Sequence, residues 1–170
     1  MVTRYTVDAS RSAVVVRARS TIHDTTTRWN RVSGQVTADP DQLAGGATEA
    51  RLTVDMTAFD AGDWLRNRKL RKDMDVERHP TATFELAGLR DVVRHDDGSF
   101  TATASGSLRW RDREVPVTAS GRGTVEPGGI DATASFELDV RDLGVEPPRF
   151  LMLKVEAVVA VEVTLRATAT

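Results

Sequence analysis

The sequence predicts an all-β protein: an eight-stranded antiparallel up-and-down barrel with one short helix inserted near the middle of the chain. Three observations carry this. Apolar residues recur with period two through most of the 170 residues, the spacing of strands with one buried face. Turn-forming clusters separate these runs, as sequential antiparallel neighbours require. Only residues 62–73 break the alternation with helix-tolerant residues, and Pro80 ends that segment because its ring disfavours helix at His79. Eight or so amphipathic strands must stack as a sandwich or close as a barrel, and closure alone removes both exposed edges. No composition shift, long linker or internal repeat divides the chain, so residues 1–170 read as one domain.

The elements follow in order. Alternation is weak over residues 11–22, where Val14, Val16 and Ala18 share a parity, and over residues 32–38, 50–56 and 81–89. It is strong over residues 100–110, where Phe100, Ala102, Ala104, Gly106, Leu108 and Trp110 alternate with threonine, serine and arginine. Val115, Val117, Ala119, Gly121, Gly123 and Val125 form the next apolar face, then Ile130, Ala132, Ala134, Phe136, Leu138 and Val140. Odd positions from Leu153 to Leu165 form the last. Between them stand Asp39-Pro40-Asp41, Gly45-Gly46, Asp96-Asp97-Gly98, Arg111-Asp112-Arg113, Pro127-Gly128-Gly129 and Pro147-Pro148.

The inward faces are short of volume. Ala102, Ala104, Gly106, Ala119, Gly121, Ala132 and Ala134 fall mid-strand, whereas an eight-stranded barrel is just wide enough for side chains to plug it or for one slim ligand. Two readings stand beside each other. In one, these small residues leave a lumen for a long apolar guest; in the other, they face large partners such as Phe100, Phe136 and Leu138 in a filled core, and the barrel is a scaffold or interaction module. About 20 buried carbons at about 0.3 kcal/mol each would hold a guest at tens of micromolar. A polar head gripped at the mouth would strengthen this. The helix offers such a grip, with Leu70 and Met74 turned inward and Arg66, Lys69 and Arg71 as head-group cations. The plainer alternative is a solvated helix whose cations pair with Asp63, Asp73, Asp75 and Glu77.

Composition narrows the function classes. A formal net charge of -2 supplies no positive field for polyanions, and Arg109 and Arg111 flank an inward Trp110, so nucleic acid is not an expected partner. Cysteine is absent, and His23, His79 and His95 stand apart, so no metal spacing or thiol chemistry is expected. No nucleophile elbow or phosphate cradle occurs, and Asp131, Glu137 and Asp139 take the wet parity. The expectation is a binding protein without catalytic residues or cofactor. The apolar run of Val14 to Val16 is too short for a signal peptide, and no stretch approaches the roughly 20 residues that span a bilayer. A cytoplasmic location without a transmembrane segment is therefore expected. Val158 and Ala160 on the outer parity of the last strand hint at a covered surface, such as a homodimer.

Residues 62–84 resemble the G-N-x-x-R-D-x-H-L-R…D-V-x-x-x-P-T-x-x-F signature of the YceI-like family, with Gly62, Arg66, Leu70, Arg71, Asp75, Val76, Pro80, Thr81 and Phe84 in place. Tyr5-Thr6-Val7-Asp8, Ser33-Gly34 with Asp39-Pro40, the stretch from Gly106 to Val117, and Arg141-Asp142-Leu143-Gly144 resemble further family elements in the family's order. The resemblance implies a lipocalin-like barrel that holds an isoprenoid lipid, a polyprenyl phosphate or a quinone tail, in its lumen. Asp63, Asn67 and Lys69 depart from the signature, and Asp112-Arg113-Glu114 stands where relatives commonly have Gly-Val-Thr. Many relatives are exported.

Overall fold

The computed structural model describes residues 1–147, 149–150 and 153–170. In chain order the elements are β1 (Thr3–Val7), β2 (Ala13–Ala18), β3 (Thr25–Trp29), β4 (Val32–Ala38), β5 (Glu49–Asp55), β6 (Phe59–Asp60), α1 (Trp64–Met74), β7 (Thr81–Arg94), β8 (Phe100–Trp110), β9 (Arg113–Glu126) and β10 (Gly129–Asp139). A 3-10 turn (Val140–Leu143), β11 (Arg149–Phe150), β12 (Leu153–Lys154) and β13 (Val158–Ala169) complete the chain.

Antiparallel pairing runs β1-β4-β5-β7-β8-β9-β10-β13, and β1 pairs with β13 to close an eight-stranded barrel. β2 pairs with the same strand β13 further along, β3 with β2, and β6 with β3. Each of the pairs β1/β2, β3/β4 and β5/β6 is therefore one bent wall strand, and the eight walls follow chain order. The bends flip the inward parity: Tyr5 and Val7 are buried before the first, Val14 and Val16 line the interior after it. Trp29 and Val32 bracket the second bend and both face in.

Polar caps hold the bends. Asp8 accepts from Ser10 N (3.0 Å), Ser10 Oγ (2.6 Å) and Arg11 Nε (2.7 Å). Those hydrogen bonds, the Ser10 hydroxyl first and then Arg11, bring the Asp8 pKa down to about 2. At the third bend Asp55 accepts from Thr57 N (3.0 Å) and Thr57 Oγ1 (2.6 Å), and the Thr57 hydroxyl likewise holds its carboxyl below the ordinary range. Two bulges in β7, between Leu86 and Gly88 and between Arg90 and Val93, shift the register against β8. They explain why both Leu86 and Leu89 face inward.

From β8 onward the alternation has no such breaks. β8 pairs with β9 through eleven consecutive partners, from Phe100↔Gly123 to Trp110↔Arg113, and β10 pairs with β13 from Gly129↔Thr168 to Asp139↔Val158. The β8–β9 turn places Arg111 and Asp112 at φ 56° and 59°, the left-handed pair of a two-residue hairpin turn. At Gly106 a Cβ would lie 2.6 Å from the Phe84 ring, so the ring crosses the strand where only glycine leaves room.

Candidate functional site: an apolar lumen under a helical lid

Two packed clusters lie along the barrel interior. One, at the α1 end, joins Trp29, Met56, Met74, Val76, Trp110, Val115, Leu143 and Val145; the other joins Tyr5, Val36, Ala38, Leu43, Phe100, Ala102, Ile130 and Ala167. Between and along these clusters runs a cavity of about 330 Å³.

Most of the residues expected to line a lumen do so. Val14 and Val16 line it from β2; Phe100, Ala102, Ala104, Leu108 and Trp110 from β8; Ala119 and Gly121 from β9; and Ala132, Ala134, Phe136 and Leu138 from β10. Met74 joins them from the helix. Three expected residues are placed differently. Ala18 stands at the end of β2, off the lining. Gly106 faces in, but the Phe84 ring occupies its space. Leu70 packs against the capping cluster rather than the cavity. The bent first half adds Trp29, Val32, Val36, Leu52, Val54 and Met56, and β7 adds Ala82, Phe84, Leu86 and Leu89. Alternation restarts at each bend and bulge there, so a single parity read through those residues misses half of the wall.

The lining is apolar with few polar atoms. Thr48 satisfies its hydroxyl by donating to the Leu43 carbonyl (2.8 Å). Arg122 and Thr133 reach the cavity from the outer parity, beside the paired Gly121 and Ala134, where the wall carries nothing larger than a methyl. Trp110 donates its indole N–H to the His79 carbonyl (2.9 Å). Trp29 does not have an equivalent: its Nε1 is buried and meets no acceptor among the described residues, although the side chain is 6% exposed and lines the cavity. A buried donor without an acceptor costs about 1–3 kcal/mol, so an acceptor brought beside this indole would be stabilising.

The α1 lid is built from the family-like segment. Asp63 caps its N-terminus by accepting from Arg66 N (2.8 Å), and Asp75 ends it in the left-handed region at φ 53°. Arg71 ties the helix to the third bend: it donates to the Thr57 carbonyl (3.2 Å) and stands 5.4 Å over the Phe59 ring. Arg111, stacked 5.6 Å over Trp110, donates to the Met74 carbonyl (2.5 Å) and the Gly144 carbonyl (3.3 Å), joining the helix end, the β8–β9 turn and the 3-10 turn. In that turn Arg141 forks onto Asp139 (2.7 and 3.0 Å), which keeps the Asp139 carboxyl below its usual range.

The expected head-group cations do not converge on the cavity. Arg66 pairs with Asp63 (3.6 Å), Lys69 with Asp73 (2.9 Å) and Arg71 with Glu77 (3.4 Å). This is the solvated, paired helix that the sequence also allowed. A separate recess of about 560 Å³ at this end is lined by Arg78, His79, Arg109, Arg111 and Arg113 with Asp112 and Glu114. Two of its arginines pair with acids, Arg78 with Asp75 and Arg109 with Glu114. Among the described residues no group of three His, Cys, Asp or Glu side chains could hold a metal ion, and no helix is long and apolar enough to cross a membrane.

A closed meander of eight strands around an apolar cavity, lidded by one helix, belongs to the class of small β-barrels with an internal lumen. The family model described as a YceI-like domain matches residues 5–169, and the chain belongs to that family. Its fold is similar to BcnA from Burkholderia cenocepacia, with a TM-score of 0.77 at 22% identity, covering 95% of this chain and 99% of that one. It is also similar to a polyisoprenoid-binding domain from Saccharophagus degradans, with a TM-score of 0.75 at 16% identity and 98% of both chains covered. A YceI protein from Campylobacter jejuni gives a TM-score of 0.64 at 12% identity, covering 85% of this chain and 84% of that one. No curated protein matches the chain.

Proposed function

We propose that this protein binds an isoprenoid lipid in its lumen, to carry or sequester it, and that the preferred guest has a neutral head with an oxygen acceptor, as a quinone does. The observation that carries this is the apolar cavity of about 330 Å³ whose lining includes Trp29, a residue with a buried indole N–H that has no acceptor among the described residues. The space is about twice the 150 Å³ of a core cavity that accepts benzene, hence room for on the order of a dozen carbons. A longer tail must displace packed residues at one end or emerge. Membership of the YceI-like family and the likeness to a polyisoprenoid-binding domain support the isoprenoid class.

A polyprenyl phosphate fits this interior less well. A phosphate dianion in an apolar surround needs several donors or cations, and beside the Trp29 indole the lining offers Arg122 as its one cation among the described residues. The helix cations that would serve it are paired with acids. Binding without chemistry is the consistent reading, because no hydrogen-bonded nucleophile and base face the cavity among the described residues.

The test is uptake by delipidated protein of a short-tailed prenyl quinone, the matching polyprenyl phosphate and the matching hydrocarbon. Quinone is expected to bind at least tenfold more tightly than either. In Trp29→Phe the quinone preference should shrink about five- to tenfold, while hydrocarbon binding stays put, since one neutral hydrogen bond is worth about 1 kcal/mol. Failure of all three to bind would refute the lumen as a ligand site; equal losses for quinone and hydrocarbon would refute the role of the indole.

A further inference from the structure

Of the large apolar side chains left exposed, three gather at the lid end: Ile22 (74% exposed), Trp64 (71%) and Leu65 (56%). Trp64 and Leu65 open the helix. Ile22 belongs to the loop that follows β2, and that loop is fastened to the lid where Arg66 Nη2 donates to His23 Nε2 (2.9 Å). Ser20 folds the loop by donating to the His23 carbonyl, and Thr21 Oγ1 donates to the Lys154 carbonyl (3.3 Å).

The outer face of α1 has a definite composition. Trp64, Arg68 and Lys72 follow one another at i, i+4 and i+8, so they form one stripe, and all three are exposed. The opposite side carries Leu70 and Met74 against the capping cluster. Arg68 and Lys72, with the exposed Arg19 before the loop, have no side-chain ion-pair partner among the described residues. The acids Asp63 and Asp73 are engaged by Arg66 and Lys69, which leaves Asp24 of the loop, Asp60 before the helix and Glu156 beside Arg19 as opposing charges. The chain as a whole carries a formal net charge of -2, so this cationic stripe runs against the average.

We propose that this face docks the protein on a bilayer that contains anionic lipid. An indole and two aliphatic side chains beside unpaired cations are what an interfacial surface needs: the apolar groups enter the acyl boundary, and the cations meet the headgroups. The lid would then lie against the bilayer, the phase in which long apolar molecules reside. The surface argument stands on these residues alone and holds whichever guest the lumen takes.

Vesicles of phosphatidylcholine, with and without about a third phosphatidylglycerol, provide the test. Sedimentation is expected to recover the protein with the anionic vesicles and not the neutral ones, and added salt should weaken this. Trp29 and Trp110 are buried, so a blue shift of tryptophan emission on binding reports Trp64. Each cation removed should weaken binding about fivefold, and each of Trp64→Ser and Leu65→Ser more than tenfold. The double variants W64S/L65S and R68E/K72E change exposed positions, so their melting temperature and their uptake of a detergent-delivered quinone should match the parent. Absence of vesicle binding, equal recovery with neutral vesicles, or undiminished binding in both double variants would overturn the proposal. So would concentration-dependent self-association abolished by the same variants without vesicle binding, which would assign the face to a second copy of this chain.

Discussion

Ala134→Phe asks whether the cavity is empty space or a seam between packed residues. Ala134 lies mid-way along β10, between Gly121 of β9 and Val163 of β13, all on the cavity wall. A Cβ on Gly121 would approach nothing closer than 3.6 Å, so that side has slack. The added phenyl is a benzene-sized group, and benzene occupies an engineered cavity of about 150 Å³, close to half of the 330 Å³ present. If the space is open, the ring buries itself and stabilises the empty protein by up to about 2 kcal/mol. For a chain of 170 residues that raises Tm by roughly 4–8 °C. The same ring removes the room for a prenyl tail, so quinone uptake should fall more than tenfold. Thermal denaturation and a binding titration on the one variant read both effects. A Tm lowered by several degrees, as overpacking at about 1–3 kcal/mol would produce, together with unchanged uptake, would refute the reasoning.

Two further outcomes follow from particular contacts. Asp112 sits at φ 59°, where a non-glycine residue costs about 1–2 kcal/mol; Asp112→Gly should raise Tm by roughly 2–6 °C and leave the Arg111 latch in place, as thermal denaturation would show. Asp8 has its pKa lowered to about 2 from 3.8 by Ser10 and Arg11, so its contribution to stability is complete above pH 3.8 and is lost as pH falls toward 2. Asp8→Asn should therefore lower Tm at pH 7 and lower it less as pH falls toward 2, measured as a pH series of melting curves.

Legibility of this fold tracked the regularity of its backbone. Between residues 100 and 140 each strand runs without a break, so a period of two named the inward set, and the turns between strands named their sequential neighbours. In the first half, bends after Val7, Trp29 and Asp55 each reset the parity. Trp29, the lining residue whose donor is orphaned among the described residues, stands beside such a bend in a strand otherwise made of threonines and arginine. Nothing in that local pattern marks it as inward. The helix was visible from its residues, yet the cations singled out for a ligand head, Arg66, Lys69 and Arg71, lie within reach of acids at short sequence spacing and pair with them. Trp64 and Leu65 fell outside the Leu70–Met74 face in the sequence, and only the three-dimensional placement of Ile22 shows that they have company.

The seam between the first and last strands carries a consequence for how the molecule is made. Tyr5 pairs with Ala169 and Thr6 with Thr168, while Thr170 N donates to the Arg4 carbonyl (3.0 Å). A nascent chain leaving the ribosome can zip seven walls in order, but it holds an unsealed, sticky margin until β13 has emerged. The eighth wall must therefore emerge before the cage can shut, and whatever the cage is to hold has until then an unguarded way in.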